Sequence, residues 1–205
     1  NFLLHLIGFH SADGHAQIHS AEELDLLFTQ SHEGGQLSQT ERELLHRVVK
    51  FSDLTAREVM VPRVEMKAIP YEMPRADFLA WLHSRPPSRT PVFRGSLDEI
   101  IAVAHLEDLV AFDAQMRARH ETEAEAGSTP SVKLVQMARD ALRVPETITI
   151  DRLLVEFQKA RQQMAIVIDE FGGTAGLITM GDLFEQVVGD VHDEFDRVDP
   201  EFVSR

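Results

Sequence analysis

The sequence predicts an α/β protein in which one structural module is used twice after a short helical segment. Residues 77–109 and 151–183 align without a gap at a constant offset of 74, which places Val92 opposite Ile166 and Leu109 opposite Leu183. An internal repeat whose apolar positions stay in phase indicates one supersecondary unit used twice. Each copy then covers a hydrophobic face that the other leaves open.

Each copy shows the pattern of a helix, a strand, a turn, a second strand and a second helix. The predicted elements are 77–83, 91–93, 100–104 and 106–112 in the first copy, and 151–162, 164–168, 175–178 and 180–188 in the second. Gly95-Ser96 and Gly172-Gly173 mark the turns, because glycine adopts a positive φ without steric cost. The two strands of each copy are therefore expected to pair as an antiparallel hairpin.

Two helices are predicted ahead of the repeat. Ser20 precedes an acidic first turn and a set of apolar positions that ends at Gly34-Gly35. Ser38 and Glu41 form a second N-terminal capping pattern, which opens the next helix. The charged side chains of both helices are equally consistent with a plain solvated surface.

The composition narrows the classes of function. The 205 residues include 20 basic and 34 acidic side chains, for a formal net charge of -14, which argues against wrapping nucleic acid or binding an anionic membrane surface. The absence of cysteine excludes a disulfide scaffold and a thiolate metal site. No nucleophile elbow, Walker loop, dinucleotide fingerprint or zinc-protease motif occurs, so catalysis is not expected.

The chain has no apolar run long enough to span a bilayer. Residues 1–9 are apolar, but they are too few for a span and lack the basic flank and cleavage region of a signal peptide. Two interpretations stay open for them: a hydrophobic N-terminal helix, or the end of a preceding membrane segment.

Thr179 and Asp182 are the candidate ligand-binding pair. They stand three residues apart where the second strand of the second copy leads into its last helix, beside N-terminal amides without an intrahelical partner. A carboxylate there can accept hydrogen bonds from both hydroxyls of a ribose, while the threonine hydroxyl and the amides reach phosphates. The alternative is purely structural: Thr179 caps the helix and Asp182 interacts favourably with its dipole.

The residues around this pair resemble a known family. The strings Gly176–Leu183 and Ala102–Leu109 are similar to the end of a cystathionine-β-synthase-type (CBS) domain, where an apolar strand is followed by Ser or Thr, two further residues, and Asp or Asn. The strings Arg57–Arg63, Thr90–Phe93 and Ala165–Thr179 resemble the cytosolic region of the CorC/CNNM family. These are magnesium and cobalt transport or efflux proteins that are also called hemolysin-like.

The resemblance implies a tandem CBS-domain pair, made of two β-α-β-β-α modules. Residues 51–118 would form the first CBS domain, 119–133 a linker, and 134–190 the second CBS domain. Residues 1–50 would be the end of a membrane domain and a helical linker, and residues 191–205 an acidic segment leading to a C-terminal domain that is not present. The sequence is accordingly interpreted as a piece of a larger membrane protein.

The resemblance also implies where a nucleotide would bind. Thr55 and Ala56 correspond to the stretch whose backbone holds the adenine edge. The strand start that faces sugar and phosphate corresponds to Ser88, Arg89, Thr90 and Pro91. Arg89 would supply positive charge there, although an ordinary surface arginine is the alternative. Together with the candidate pair described above, these residues would bind ATP or another adenine nucleotide with Mg²⁺.

The first copy is expected to bind ligand less well. His105 replaces the Ser or Thr of the motif and is interpreted as structural, Ala102 replaces the glycine, and Asp108 is retained. Two other polar clusters are not expected to form metal sites. They are the histidines at positions 5, 10, 15 and 19 and the acidic residues within 190–196.

Two classes of function are the main alternatives, and metal-assisted phosphate hydrolysis by the acidic C-terminal residues is kept only as a distant third. The first is a regulatory CBS pair on the cytoplasmic side of the inner membrane, which binds Mg-ATP and couples its occupancy to the transport domain of the same polypeptide. The second is a structural dimerisation module without a physiological nucleotide. We expect a homodimer in both cases, because Leu183, Val187 and Val188 indicate apolar helix faces that one CBS pair is not expected to cover.

Overall fold

The computed structural model describes residues 20–120, 131–134 and 138–189. The chain divides into two compact units between Lys50 and Phe51. The N-terminal histidines, residues 121–130 of the expected linker and the acidic residues beyond 189 lie outside the described residues. Within the described ranges, no helix is both long and apolar enough to cross a membrane.

The two helices ahead of the repeat begin where the sequence predicts. Helix α1 (Ala21–Glu33) follows Ser20, whose Oγ accepts a hydrogen bond from the Glu23 N–H at 3.3 Å while the Glu23 carboxylate accepts one from the Ser20 N–H. Helix α2 (Gln39–Phe51) follows Ser38, and the Glu41 carboxylate accepts from the Ser38 N–H at 2.8 Å. These predicted caps are confirmed, and they satisfy N–H groups that have no partner inside the helix.

The second unit contains the repeat. Its elements in chain order are α3 (Ala56–Val59), β1 (Val61–Pro62), a 3₁₀ turn (Arg63–Glu65), β2 (Ile69–Pro70), β3 (Glu72–Pro74), α4 (Arg75–His83), β4 (Arg89–Arg94), β5 (Ser96–His105), α5 (Leu106–His120), β6 (Ser131–Lys133), β7 (Ala138–Arg139), β8 (Leu142–Pro145), α6 (Ile150–Ala160), β9 (Met164–Ile168), β10 (Thr174–Thr179) and α7 (Met180–Val188). The predicted order of helix, strand, turn, strand and helix occurs twice, so the predicted α/β fold is confirmed.

Each copy is centred on the predicted antiparallel hairpin, β4 with β5 and β9 with β10. The turns contain Gly95 at φ 68° and Gly172 at φ 83°, a left-handed conformation that strongly favours glycine. Each hairpin also pairs in parallel with one preceding strand of its own copy, β2 in the first copy and β8 in the second.

The fourth strand of each sheet comes from the segment that leads into the other copy. The sheets have the orders β1-β10-β9-β8 and β2-β4-β5-β7. Strand β1 precedes the first copy but pairs with β10, and β7 precedes the second copy but pairs with β5. Separating the two copies would therefore break backbone hydrogen bonds in both sheets.

Strand pairing shows that the constant offset of 74 is wrong for the first strands of the repeat. Ala102 pairs with Val92 and Gly176 with Val167, so the second strands are offset by 74 residues and the first strands by 75. Val92 is the counterpart of Val167, not of Ile166. The extra residue lies in the first hairpin, which has two register shifts where the second hairpin has one.

Three buried clusters stabilise the second unit. One face of each sheet packs on the helices of its own copy, with Phe78 and Leu109 buried in the first copy and Phe157 and Leu183 in the second. The remaining sheet faces meet between the copies at Ile100, Val103, Met164, Ile166 and Leu177. Strand β9 is consequently buried on both sides, which explains its continuous apolar sequence.

The segment between the copies also contributes to the first core. Strand β6 pairs with β3, and its Val132 is 1 % exposed. Leu134 follows at 0 % exposure, and its N–H donates to the Tyr71 carbonyl at 2.9 Å. Residues 131–134 therefore pack on the first copy, although they lead into the second.

Candidate nucleotide-binding site

The N-terminus of α7 carries the predicted ligand-binding pair in a capping box. The Asp182 N–H donates to Thr179 Oγ1 at 3.3 Å, so the structural alternative is present in the geometry. In return, Asp182 Oδ2 accepts from the Thr179 N–H at 2.6 Å and from the Thr179 hydroxyl at 2.9 Å. Asp182 Oδ1 makes no hydrogen bond to any described residue, so capping leaves one carboxylate oxygen for a ligand.

Helix α3 brings Thr55 and Ala56 to this same end of the sheet, because α3 contacts both β10 and α7. The Ala56 side chain is fully buried in the cluster that includes Leu183. The Ala56 N–H donates to the Ile148 carbonyl at 2.8 Å. Four of the eight predicted site residues, namely Thr55, Ala56, Thr179 and Asp182, are thus carried by elements in mutual contact.

A second capping box in this region, not predicted from the sequence, begins at Thr55. Its N–H and hydroxyl both donate to Glu58 Oε2, at 2.8 and 2.7 Å. The pKa of Glu58 lies below its usual value because the Thr55 hydroxyl, and then the Thr55 N–H, stabilise the carboxylate. The signal was available, since a threonine followed three residues later by a glutamate is the ordinary capping-box pattern.

The other four predicted residues lie at the start of β4. The Ser88 carbonyl accepts from the Leu106 N–H at 2.9 Å. Thr90 is 1 % exposed, and its hydroxyl has no partner among the described residues. Because side chains alternate along a strand, Thr90 shares the core-facing side of β4 with Val92, whereas Arg89 and Pro91 face the second copy.

Arg89 crosses from the first copy to the second. Its Nη2 donates to Gln163 Oε1 at 2.6 Å, just before β9 begins. Gln163 was not recognised in the sequence, because the gapless alignment places Ser88 opposite Gln162. With the one-residue correction, Gln163 is the counterpart of Ser88, and its carbonyl accepts from the Met180 N–H at 3.0 Å.

A polar cleft of about 290 Å³ lies beside Arg89 between the two copies. Its lining includes His105, Arg139 and Arg161 in addition to Arg89 and Gln163, but neither residue of the α7 capping box. His105 is the first copy's counterpart of Thr179, so the open volume lies at the corresponding position of the first copy. The sequence had indicated that this copy is the poorer ligand site.

The cleft is lined by charges of both signs, with Arg89, Arg139 and Arg161 on one side of the balance and Glu107 and Asp140 on the other. Burial lowers the pKa of His105, and the charges of Arg139 and Arg89 lower it further. Asp108 lies 3.4 Å from Arg139 Nη2 and partly neutralises that guanidinium. Arg89 forms no ion pair with a described carboxylate and so stays available to an anion, whereas Asp108 is paired with a cation, in contrast to Asp182.

Comparison with known proteins gives relatives along almost the whole chain, although no protein-family model matches it. The chain is 34% identical over 197 residues to the UPF0053 protein YugS of Bacillus subtilis, covering 96% of this chain and 43% of the relative. It is 33% identical to the magnesium and cobalt efflux protein CorC of Pasteurella multocida, covering 88% and 56%. Hemolysin C of Brachyspira hyodysenteriae is 31% identical, with 82% and 57% covered. The chain thus spans about half the length of these relatives, or less.

Solved structures agree with the fold. The CBS domain of a bacterial CNNM/CorC family Mg²⁺ transporter is 35% identical, with a TM-score of 0.72, and the match covers 86% of this chain and 100% of that structure. A CBS domain of such a transporter in complex with ATP is 36% identical, with a TM-score of 0.62 and coverage of 74% and 99%. The repeated hairpin with exchanged lead-in strands is therefore a tandem CBS-domain pair. More particularly, the chain belongs to the CNNM/CorC family.

Proposed function

We propose that this chain is the regulatory CBS pair of a membrane magnesium or cobalt transport or efflux protein, on the cytoplasmic side of the membrane. It binds an adenine nucleotide, as Mg-ATP, and couples its occupancy to the transport domain of the same polypeptide. The observation that carries the proposal is the Asp182 carboxylate on the capped end of α7, next to α3, whose Oδ1 makes no hydrogen bond to a described residue. The ATP complex of a related CBS domain supports it.

The adenine base would be recognised through backbone carbonyls of α3. The N–H groups of Thr55 and Ala56 are already used, by Glu58 and by the Ile148 carbonyl. The carbonyl oxygens of Thr55 and Ala56 each accept one helical hydrogen bond, at 3.1 and 2.8 Å, and retain a second lone pair. An adenine amino group can donate to such an oxygen, whereas the keto group of guanine cannot.

The triphosphate requires positive charge that the chain as a whole does not supply. At a net charge of -14 the protein repels a polyanion, and Arg89 alone cannot balance it. The described residues gather no group of three or more potential metal ligands. Mg²⁺ would therefore be bound through the phosphates and water, as is usual for this ion, with Arg89 contributing the local positive potential.

Thermal melting of the chain with Mg-ATP, ATP with EDTA, adenosine and GTP tests the proposal. Mg-ATP should raise the melting temperature, because free ligand at a hundred times its Kd adds about 2.7 kcal/mol to the unfolding free energy. ATP with EDTA should have a smaller effect, and GTP little. An unchanged melting temperature with millimolar Mg-ATP would contradict nucleotide binding and favour the alternative, a structural dimerisation module.

Both the regulatory module and the structural dimerisation module are proposed to be homodimers. The exposed apolar side chains of α5 and α7 support this proposal. Val110 on α5 and Phe184 on α7 occupy equivalent positions of the repeat and are 53% and 61% exposed, with Val188 at 52%. The earlier expectation that Leu183 contributes to this surface is wrong, because that side chain is 1% exposed in the core. The outward residue is its neighbour Phe184.

Replacing Val110 and Phe184 together with glutamate should produce monomers in light scattering. The change removes four apolar side chains and adds four negative charges across a symmetric dimer, so the dimer Kd should rise at least about a hundredfold. Val155→Glu is the matched control, since Val155 is 45% exposed on α6. If the double variant stays dimeric, the dimer interface lies elsewhere.

A further inference from the structure

Gln163 is the one described side chain that holds Arg89. The distance from Arg89 Nη2 to Gln163 Oε1 is 2.6 Å, and Arg89 forms no ion pair with a described carboxylate. A guanidinium has five N–H groups in a fixed plane, so this contact leaves most of its donors for another acceptor. The amide oxygen orients Arg89 without cancelling its charge.

Gln163 is also attached to the helix that carries the ribose-binding carboxylate. Its carbonyl accepts from the N–H of Met180, the first residue of α7, at 3.0 Å. The next residue, Met164, pairs with Thr179 in the β9–β10 hairpin. A single residue therefore connects Arg89 of the first copy to the N-terminus of α7 in the second.

The first copy has no such connection. Ser88 occupies the counterpart position, and its carbonyl accepts from the Leu106 N–H at 2.9 Å, so the backbone contact is repeated. The Ser88 side chain makes no hydrogen bond to a described residue. Of these two counterpart residues, only Gln163 has a side chain that contacts an arginine of the other copy.

The neutral side chain of Gln163 matters for the charge that Arg89 can offer to an anion. Arg139 in the same cleft lies 3.4 Å from the Asp108 carboxylate, and this pairing weakens the attraction of Arg139 for an incoming anion. Arg89, held by an amide, keeps its full charge. A carboxylate in place of that amide would form a charge-assisted pair and compete with phosphate for the guanidinium.

We propose that Gln163 is a positioning residue for phosphate recognition: it orients Arg89 towards the phosphates of the bound nucleotide and ties it to the N-terminus of α7. This proposal rests on the nucleotide-binding function proposed above. It predicts a selectivity that a structural role would not produce. Changes at Gln163 alter the affinity for a triphosphate and leave the affinity for the nucleoside unchanged.

Calorimetric titration of the full 205-residue chain with Mg-ATP and with adenosine tests this proposal. Gln163→Glu should weaken Mg-ATP binding about tenfold, because a carboxylate neutralises Arg89, and should change adenosine binding less than about twofold. Gln163→Leu should weaken Mg-ATP binding by roughly threefold through loss of orientation. Gln158→Glu, at an exposed position of α6, adds the same charge and should leave both affinities unchanged.

A double-mutant cycle gives the second measurement. In the Arg89→Ala background, Gln163→Glu should have no further effect on Mg-ATP affinity, because the residue acts through Arg89. An undiminished effect in that background, or a parallel loss of adenosine affinity, overturns the positioning role. Wild-type Mg-ATP affinity in Gln163→Glu overturns it as well. If the wild-type chain binds neither ligand, the proposed function itself fails.

Discussion

Replacing Asp182 with alanine should weaken Mg-ATP binding by roughly tenfold to over a hundredfold. The substitution removes the proposed charged acceptor for two ribose hydroxyls, a loss on the order of 1.5 to 3 kcal/mol. It also removes the carboxylate that accepts from the Thr179 N–H and hydroxyl, so the chain should lose about 1 kcal/mol of stability through the cap. Calorimetry and thermal melting of the same samples separate the two effects.

Two further variants separate capping from ribose recognition. Asp182→Asn keeps an oxygen that can accept from the Thr179 N–H, so its melting temperature should stay near that of the wild type while its ATP affinity falls. Asp108→Ala is the control in the first copy, where the carboxylate already faces Arg139. Its effect on ATP binding should be less than about threefold. If Asp108→Ala loses ATP and Asp182→Ala keeps it, the nucleotide binds in the cleft beside His105 instead.

Gly176→Ala should destabilise the second unit by about 1 to 3 kcal/mol, because Gly176 pairs with Pro62 of the neighbouring strand β1 and its Cα lies close to that strand. A Cβ at position 176 would stand 2.9 Å from the Met60 sulfur and closer still to the Val61 carbonyl oxygen. The backbone carbonyl cannot move without disturbing the β1–β10 pairing. Urea unfolding should give a lower midpoint with an unchanged m-value.

Gly181→Ala is the matched control, since its Cβ would meet Thr179 Oγ1 at an ordinary 3.4 Å in the first turn of α7. It should be neutral or stabilising by up to about 1 kcal/mol. The first copy has alanine at the counterpart position, Ala102, where the exchanged strand β7 pairs with Val103 and Ala104 only. Equal stability of Gly176→Ala and wild type would mean that β1 does not pack closely on β10.

Local features of the fold could be predicted from the sequence because their partners are near in the chain. The caps at Ser20 and Ser38 and the pair at Thr179 and Asp182 depend on residues three positions apart, and their hydrogen bonds occur as the spacing indicates. The hairpin turns follow from the conformational freedom of glycine. Nucleotide binding by the predicted residues stays a prediction, to be tested by the variants above.

The sequence by itself determined the tandem α/β repeat, the hairpins and the helix caps at Ser20 and Ser38, because side-chain periodicity and short spacings report local conformation. Only the tertiary structure showed with which sheet β1 and β7 pair. It also showed the one-residue difference between the first strands of the two copies and the contact between Arg89 and Gln163. The spacing of apolar residues indicates that a side chain is buried, but it does not indicate which element packs against that side chain. On β9, where both faces are covered, a shift of one apolar residue leaves no trace in the sequence.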